Sequence, residues 1–258
     1  MIIPDRNRME KSLELARQYG LGFEADDFFE PSVQQSPERK EEIIAIYRAC
    51  ELPKPLTIHG SFHDVLIFSE DEEIRKVSGK RVEESIAVAR ELGATAVVFH
   101  TNLNPALITS ESYRQHWIDR NYEFWSGMCG KYPDVTICLE NMFDTGPEEL
   151  AELCKKMQGI SNFGVTFDYA HAALYGGDSA KWAEMLEPYI RHVHINDNDG
   201  RNDLHLAVGS GVLDWNKFEE LRQRYFADAT VLIETAVLEE QIKSLEFLHI
   251  KLAKNKLL

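Results

Sequence analysis

Short apolar runs rich in β-branched residues recur along this chain, separated by longer amphipathic stretches, and that rhythm restricts the fold more than any single residue does. The clearest runs are LTIH (56–59), AVVFH (96–100), VTICLE (135–140), GVTFD (164–168), VHIN (193–196) and VLIE (231–234). Runs of this length with no polar alternation read as strands buried on both faces. Helix-like segments occupy 78–93, 110–132, 146–158, 179–188, 213–226 and 239–254. Gly93 stands where a left-handed helix cap is wanted, and Pro147 stands at a helix start, where a missing N–H costs nothing. An earlier helix over about 37–50 is announced by Ser36 as cap, Pro37 at its first position and Glu38 after it. Counting backwards, 21–24 makes a strand behind a helix over 6–19, and 2–4 is the candidate for the first strand.

Eight β/α units in 258 residues match the ~250 typical of a closed (β/α)8 barrel. The expectation is therefore one α/β domain spanning 1–258, a barrel of parallel strands inside a ring of helices. An open doubly wound sheet is the alternative, but no strand is followed by a glycine-rich dinucleotide fingerprint or a P-loop.

The strand ends carry the chemistry. His59, His100, Glu140 and Asp168 close four runs, His194 lies within the fifth, and Glu234 closes the sixth. Their spacings are 41, 40, 28, 26 and 40 residues, each about one β/α unit. In a barrel all strand C-termini meet on one rim, so these six side chains are expected to converge. One such residue alone is ordinarily a loop hydrogen-bonder. Six crowded together repel one another or stay desolvated unless something compensates them, and a divalent cation does so. Imidazole and carboxylate without thiolate suit Zn²⁺ or Mn²⁺.

Two loop motifs extend the set. In FDYAH, His171 lies three residues after Asp168, within reach of the same rim. In NDLHLAVGSG, Asp203 and His205 alternate, and on an extended loop both side chains point the same way. Gly209 and Gly211 would let backbone approach the site. Arg201 is a candidate for binding a substrate phosphate or hydroxyl. His192 alternates with His194 and reads as a packed, hydrogen-bonded residue deeper in the barrel. His63 reads as a loop residue, His116 and His249 as helix residues, and Trp117, Tyr122 and Trp125 as helix packing.

Composition limits the partners. Lys and Arg number 28 against 43 Asp and Glu, a net charge of −15, which argues against a protein held to nucleic acid by clustered cations. The acids 24, 26, 27 and 30, and those at 70–73, are read as rim loops that would repel a phosphate backbone. The four cysteines show no close pairing and read as buried free thiols. No signal-peptide pattern opens the chain and no run approaches the ~18 apolar residues of a membrane span, so a cytoplasmic location is expected and no membrane partner. A homo-oligomer is compatible with all of this.

The strings HGSF, VFHTN, CLEN, TFDYAH, HVHINDND, DLHLAVGSG and LIET, in this order over about 12–254, resemble the xylose isomerase-like TIM-barrel superfamily. That superfamily includes sugar (phosphate) isomerases and epimerases and the endonuclease IV family of abasic-site repair enzymes. The isomerase branch implies one metal held by Glu140, Asp168, His194 and Glu234, with His171 near the substrate. The endonuclease branch implies a three-metal cluster that adds His59, His100, His171, Asp203 and His205. All nine positions are filled, but Ser210 stands between two glycines where related chains often carry an acid.

The resemblance implies, first, a sugar or sugar phosphate isomerase or epimerase with one to three divalent ions per chain. Glu140 and Glu234 would exchange a proton next to the carbonyl through a metal-stabilised enediolate. The alternatives are a metal-cluster AP endonuclease, against which the acidic loops weigh, and a non-catalytic metal- or sugar-binding barrel, against which the retention of Glu140 and Glu234 weighs.

Overall fold

A computed structural model describes residues 1–255. Seven parallel strands form one sheet in sequence order: β1 (Phe23–Ala25), β2 (Leu56–His59), β3 (Ala96–His100), β4 (Thr136–Glu140), β5 (Phe163–Asp168), β6 (Ile190–Ile195) and β7 (Thr230–Ile233). The expected eighth strand at 2–4 is reduced to one residue. Ile2 makes a parallel bridge to Phe23 on one side and to Ile233 on the other, and so closes the ring. The result is a nearly closed TIM barrel.

Ten helices among the described residues surround it: α1 (Met9–Tyr19), α2 (Pro31–Gln34), α3 (Pro37–Arg48), α4 (Glu72–Leu92), α5 (Glu111–Lys131), α6 (Glu148–Lys156), α7 (Tyr169–Leu174), α8 (Ser179–Leu186), α9 (Trp215–Tyr225) and α10 (Leu238–Asn255). The core lies between strands and helices, where Trp117, Trp125, Trp182, Phe99 and Phe167 are almost wholly buried. Cys129, Cys138 and Cys154 are buried free thiols, and Cys50 is partly exposed. No helix among the described residues is long and apolar enough to cross a membrane.

The departures from the sequence expectation have local causes. Helix α4 begins six residues before 78, because the Asp71 side chain accepts from the N–H groups of Glu73 and Ile74 and so starts a turn. The acids of that turn are helix N-terminal residues, favourably placed at the positive end of the helix dipole. Helix α7 falls where a loop is expected, and Asp168 caps it by accepting from the His171 N–H. Strand β6 starts at Ile190 instead of 193. The helix expected over 6–19 opens as a 3-10 turn at Arg6–Arg8, capped by Asp5.

Candidate metal centre

Alternation along a strand sends every second side chain into a barrel. Register pairs His100 with Glu140 on β3 and β4, and Asp168 with His194 on β5 and β6. Between Val165 and Thr166 the register slips, because β6 carries one extra residue, Arg191. That bulge turns Arg191 outward and lets His192 and His194 both face inward. An upper layer of polar ends thus lies over a lower one: His194 over His192, Glu140 over Cys138, Asp168 over Thr166 and Glu234 over Leu232.

The upper layer assembles the candidate site. Glu140, Asp168, His194 and Glu234 each offer a ligand atom within 4.8 Å of the others. His194 Nδ1 stands 3.2 Å from Glu140 Oε2 and 3.3 Å from Glu234 Oε1. A second group joins His59, His100 and the same Glu140, with Nε2 atoms 3.7 and 3.6 Å from its Oε2. A third joins His171, Asp203 and His205, and Asp203 Oδ2 lies 3.1 Å from His171 Nε2 and 3.3 Å from His205 Nε2. His171 Nδ1 also lies 3.4 Å from Glu140 Oε1, so the three groups adjoin. All nine ligand candidates named from the sequence lie in these groups.

The donor set fits a divalent cation. Both oxygens of Glu140, Oδ2 of Asp168, Nδ1 of His194, both ring nitrogens of His100 and Oδ1 of Asp203 are buried without a hydrogen-bond partner. Groups left so cost free energy unless an ion occupies the space they share.

Their ionisation shows the same crowding. Burial opposes the charge on Glu140, but His194 and His100 outweigh it and hold the carboxyl well below its usual range. Burial dominates at Asp168 and pushes it up to about 7. Burial also opposes protonation of His59 and His205, yet Glu140 raises the first to about 9 and Glu234 is the leading charge that raises the second to about 10.

Above the four-donor group opens a cavity of about 410 Å³. His59, His100, His171, Asp203, His205 and Glu234 face it, whereas Glu140, Asp168 and His194 lie beneath. Phe29, Phe62 and Met142 supply an apolar wall, and the Phe62 ring stacks on His100 at 4.3 Å. Among the described residues lining it, none is Lys or Arg. Asp26 also lines it, with Oδ1 buried and unpartnered, and burial pushes its carboxyl up to about 8.

Several sequence-based placements change. Arg201 is exposed and does not line the cavity. Asp199 accepts from the backbone N–H of Arg201 and Asn202, which closes a tight turn at the loop surface. Asp203 and His205 do converge, but through a left-handed residue at His205 (φ 47°) in place of an extended pair. Gly209 and Gly211 pack against buried Asp197 and Phe247, away from the site. His63, read as a loop residue, lines the cavity mouth.

The expected acidic rim is largely dismantled. Glu24 is fully buried inside the barrel, and Asp27 is tied to Arg6 at 2.7 Å and to the Tyr47 hydroxyl at 2.6 Å. Sequence reasoning missed Glu24 and Asp26 as residues of the barrel interior and cavity wall, since the three residues of β1 are too few to display an alternation.

Residues 12–250 match the family model described as xylose isomerase-like TIM barrel. Among solved structures, a D-tagatose 3-epimerase-like protein is 26% identical with a TM-score of 0.78, covering 100% of this chain and 99% of that one. The TTHB071 protein from Thermus thermophilus, solved after soaking with ZnCl2, is 26% identical with a TM-score of 0.71, covering 97% and 96%. A probable endonuclease 4 from Mycoplasmoides gallisepticum is 22% identical over 232 residues, 83% of this chain and 75% of its own length. With the fold, the strand-end donors and the family match in agreement, the chain belongs to the xylose isomerase-like TIM barrel family.

Proposed function

We propose that the protein is a divalent-metal isomerase or epimerase that moves a proton next to the carbonyl of a small sugar. The observation that carries this reading is the buried group Glu140, Asp168, His194 and Glu234 at the foot of a cavity with an aromatic wall and no lining Lys or Arg. Phe29 and Phe62 suit the apolar face of a sugar ring. A phosphate would meet the Asp203 and Glu234 carboxylates there with no Lys or Arg to pair it, so a neutral sugar is the better match to the lining. The similarity to a D-tagatose 3-epimerase-like protein over the whole chain supports the same reaction class.

Glu140, Asp168, His194 and Glu234 would hold the ion, which when bound supplies Lewis-acid polarisation of the substrate oxygens. The nitrogen and oxygen donors suit Zn²⁺ or Mn²⁺. Glu234 faces the cavity and takes the proton α to the carbonyl; Glu140, whose Oε2 meets the same Nδ1 of His194 as Glu234 Oε1, is the second carboxylate of the exchange. His171, held by Asn141 O at Nδ1 (2.9 Å) and by Asp203 Oδ2 at Nε2 (3.1 Å), lines the cavity and fixes the Asp203 carboxylate beside a substrate hydroxyl. Phe29, Phe62 and Met142 keep water from the reacting carbon.

The test is solvent deuterium incorporation into a panel of ketoses by the zinc- or manganese-loaded protein. Exchange at the carbon next to the carbonyl, abolished in Glu234→Gln, is expected. Absence of exchange across the panel refutes the reading.

One observation favours a second reading, phosphoester hydrolysis. Proton transfer needs one donor group, yet on its cavity side two further three-donor groups, one with His59 and His100 and one with His171, Asp203 and His205, adjoin it, as a site clamping both attacking and leaving oxygens would require. The relative described as a probable endonuclease 4 points the same way. Nicking of a duplex with one abasic site, without deuterium exchange into sugars, would establish this reading over the first.

A further inference from the structure

Beneath the donor layer, Glu24 on β1 is a fully buried carboxylate. Its Oε1 stands 3.1 Å from His194 Nε2, on the edge of the ring opposite Nδ1, and its Oε2 stands 3.2 Å from His192 Nε2. The Thr57 hydroxyl donates to Oε2 at 2.6 Å. His192 is held in turn through Nδ1 and Thr230 Oγ1 at 2.6 Å. The two imidazole approaches lie off the in-line direction of a hydrogen bond, so Glu24 acts on both rings as a close counter-charge.

A carboxylate in this position is costly to bury and is retained where it organises its neighbours. A ligating histidine whose second nitrogen faces a carboxylate is fixed in tautomer and made a stronger donor. Glu24, His192 and His194 also lie close enough together to offer ligand atoms to an ion of their own. Against that, the Thr57 hydroxyl already occupies Oε2, and Glu24 lies below the upper layer and does not line the cavity.

We propose that Glu24 is a positioning residue for the metal centre: it holds His194 with Nε2 towards the barrel floor and Nδ1 towards the ion, with Thr57 and His192 holding Glu24 itself. This rests on the four-donor group binding a metal, and the two claims are separable. The starting protein carries His100→Ala and His205→Ala, which disable the flanking groups. Zinc affinity is measured by competition with a chromophoric chelator, and apo stability by circular dichroism.

Zinc binding by this protein, at one ion per chain, tests the metal reading. Its absence refutes that reading and the proposal with it. Given binding, Glu24→Gln is expected to weaken zinc by about 10–100-fold, with Nε2–H of His194 losing its protected signal in ¹⁵N-histidine NMR spectra. Glu24→Asp is expected to recover part of the affinity. Unchanged affinity within twofold in Glu24→Gln overturns the proposal, as does a second zinc per chain that disappears with Glu24. If Glu24→Gln does not fold, Thr57→Val is the deciding variant: a several-fold loss of affinity upholds the proposal, and none overturns it.

Discussion

Asp197 offers a sharp energetic test, because four donors converge on one buried carboxylate. Oδ1 accepts from the backbone N–H of Asn198 (3.0 Å) and Leu213 (3.1 Å), and Oδ2 accepts from the Gly209 N–H (3.0 Å) and Trp215 Nε1–H (2.8 Å). In Asp197→Asn the amide oxygen keeps two of these partners and the NH2 faces the other two. Either orientation of the amide leaves two donors opposed to a donor. An unsatisfied buried donor costs about 1–3 kcal/mol, so the pair amounts to roughly 4 kcal/mol. With a urea m-value of roughly 3 kcal/mol/M for a chain of this size, the midpoint falls by about 1.3 M at constant m. Urea unfolding followed by tryptophan fluorescence measures it. The same four bonds fold the loop that carries Asp203 and His205, so zinc stoichiometry is expected to drop in the folded variant. A loss of less than 1 kcal/mol would refute the assignment of that loop's order to Asp197.

Other expectations concern charge, metal and the cavity wall. Burial raises Asp144 from 3.8 to about 6, and it accepts from the Thr101 hydroxyl and the Met142 N–H. The folded state therefore binds this proton more tightly than the unfolded chain does. Its contribution is fully present below pH 3.8 and is lost as pH rises through about 6, a difference of about 3 kcal/mol. Asp144→Asn should flatten that limb of a stability–pH profile, and an unchanged slope would contradict the burial argument. Glu140 is shared by two donor groups, so Glu140→Gln should lose more than one ion per chain by elemental analysis. Loss of one ion alone would argue against sharing. Phe62→Ala removes the ring stacked on His100 and should raise KM by about tenfold with a smaller change in kcat, read by steady-state kinetics on any ketose that exchanges. Removal of metal by chelation should lower Tm by several degrees, since an ion bound at 100 times its Kd adds about 2.7 kcal/mol.

The site was legible where sequence period and chemistry coincide. Strands of four to six residues with a His, Asp or Glu at or beside their C-terminal end, at one-unit spacing, can place those side chains only on one rim, and all nine ligand candidates fall into adjoining groups. What stayed hidden lacked a local pattern. Strand β1 is three residues long, too short to show alternation, so its neighbourhood of acids read as a solvated loop when Glu24 belongs to the barrel interior. Helix α7 is six residues long and capped by a residue already counted as a ligand candidate. Arg201 is near the site in sequence only, because the turn made by Asp199 leaves it at the surface. Ile2 closes the ring through pairing across the whole chain length, which no window of neighbouring residues reveals.

That closure gives the barrel a seam. Other neighbouring strands share three to five paired residues, but β7 and β1 meet through Met1 and Ile2 alone among the described residues: the Ile2 N–H donates to Gly22 O, its carbonyl accepts from the Glu24 N–H, and on the other side Met1 O accepts from the Ile233 N–H and the Met1 amine donates to Val231 O. The Gln241 amide nitrogen stitches the same gap from outside, donating to Ile3 O and Thr235 O at 2.7 Å each. A ring yields first at its least-bonded junction. Here that junction separates Glu24 and Asp26 on one bank from Glu234 on the other, so local opening parts the floor and wall acids from a candidate catalytic carboxylate while the remaining strands stay zipped.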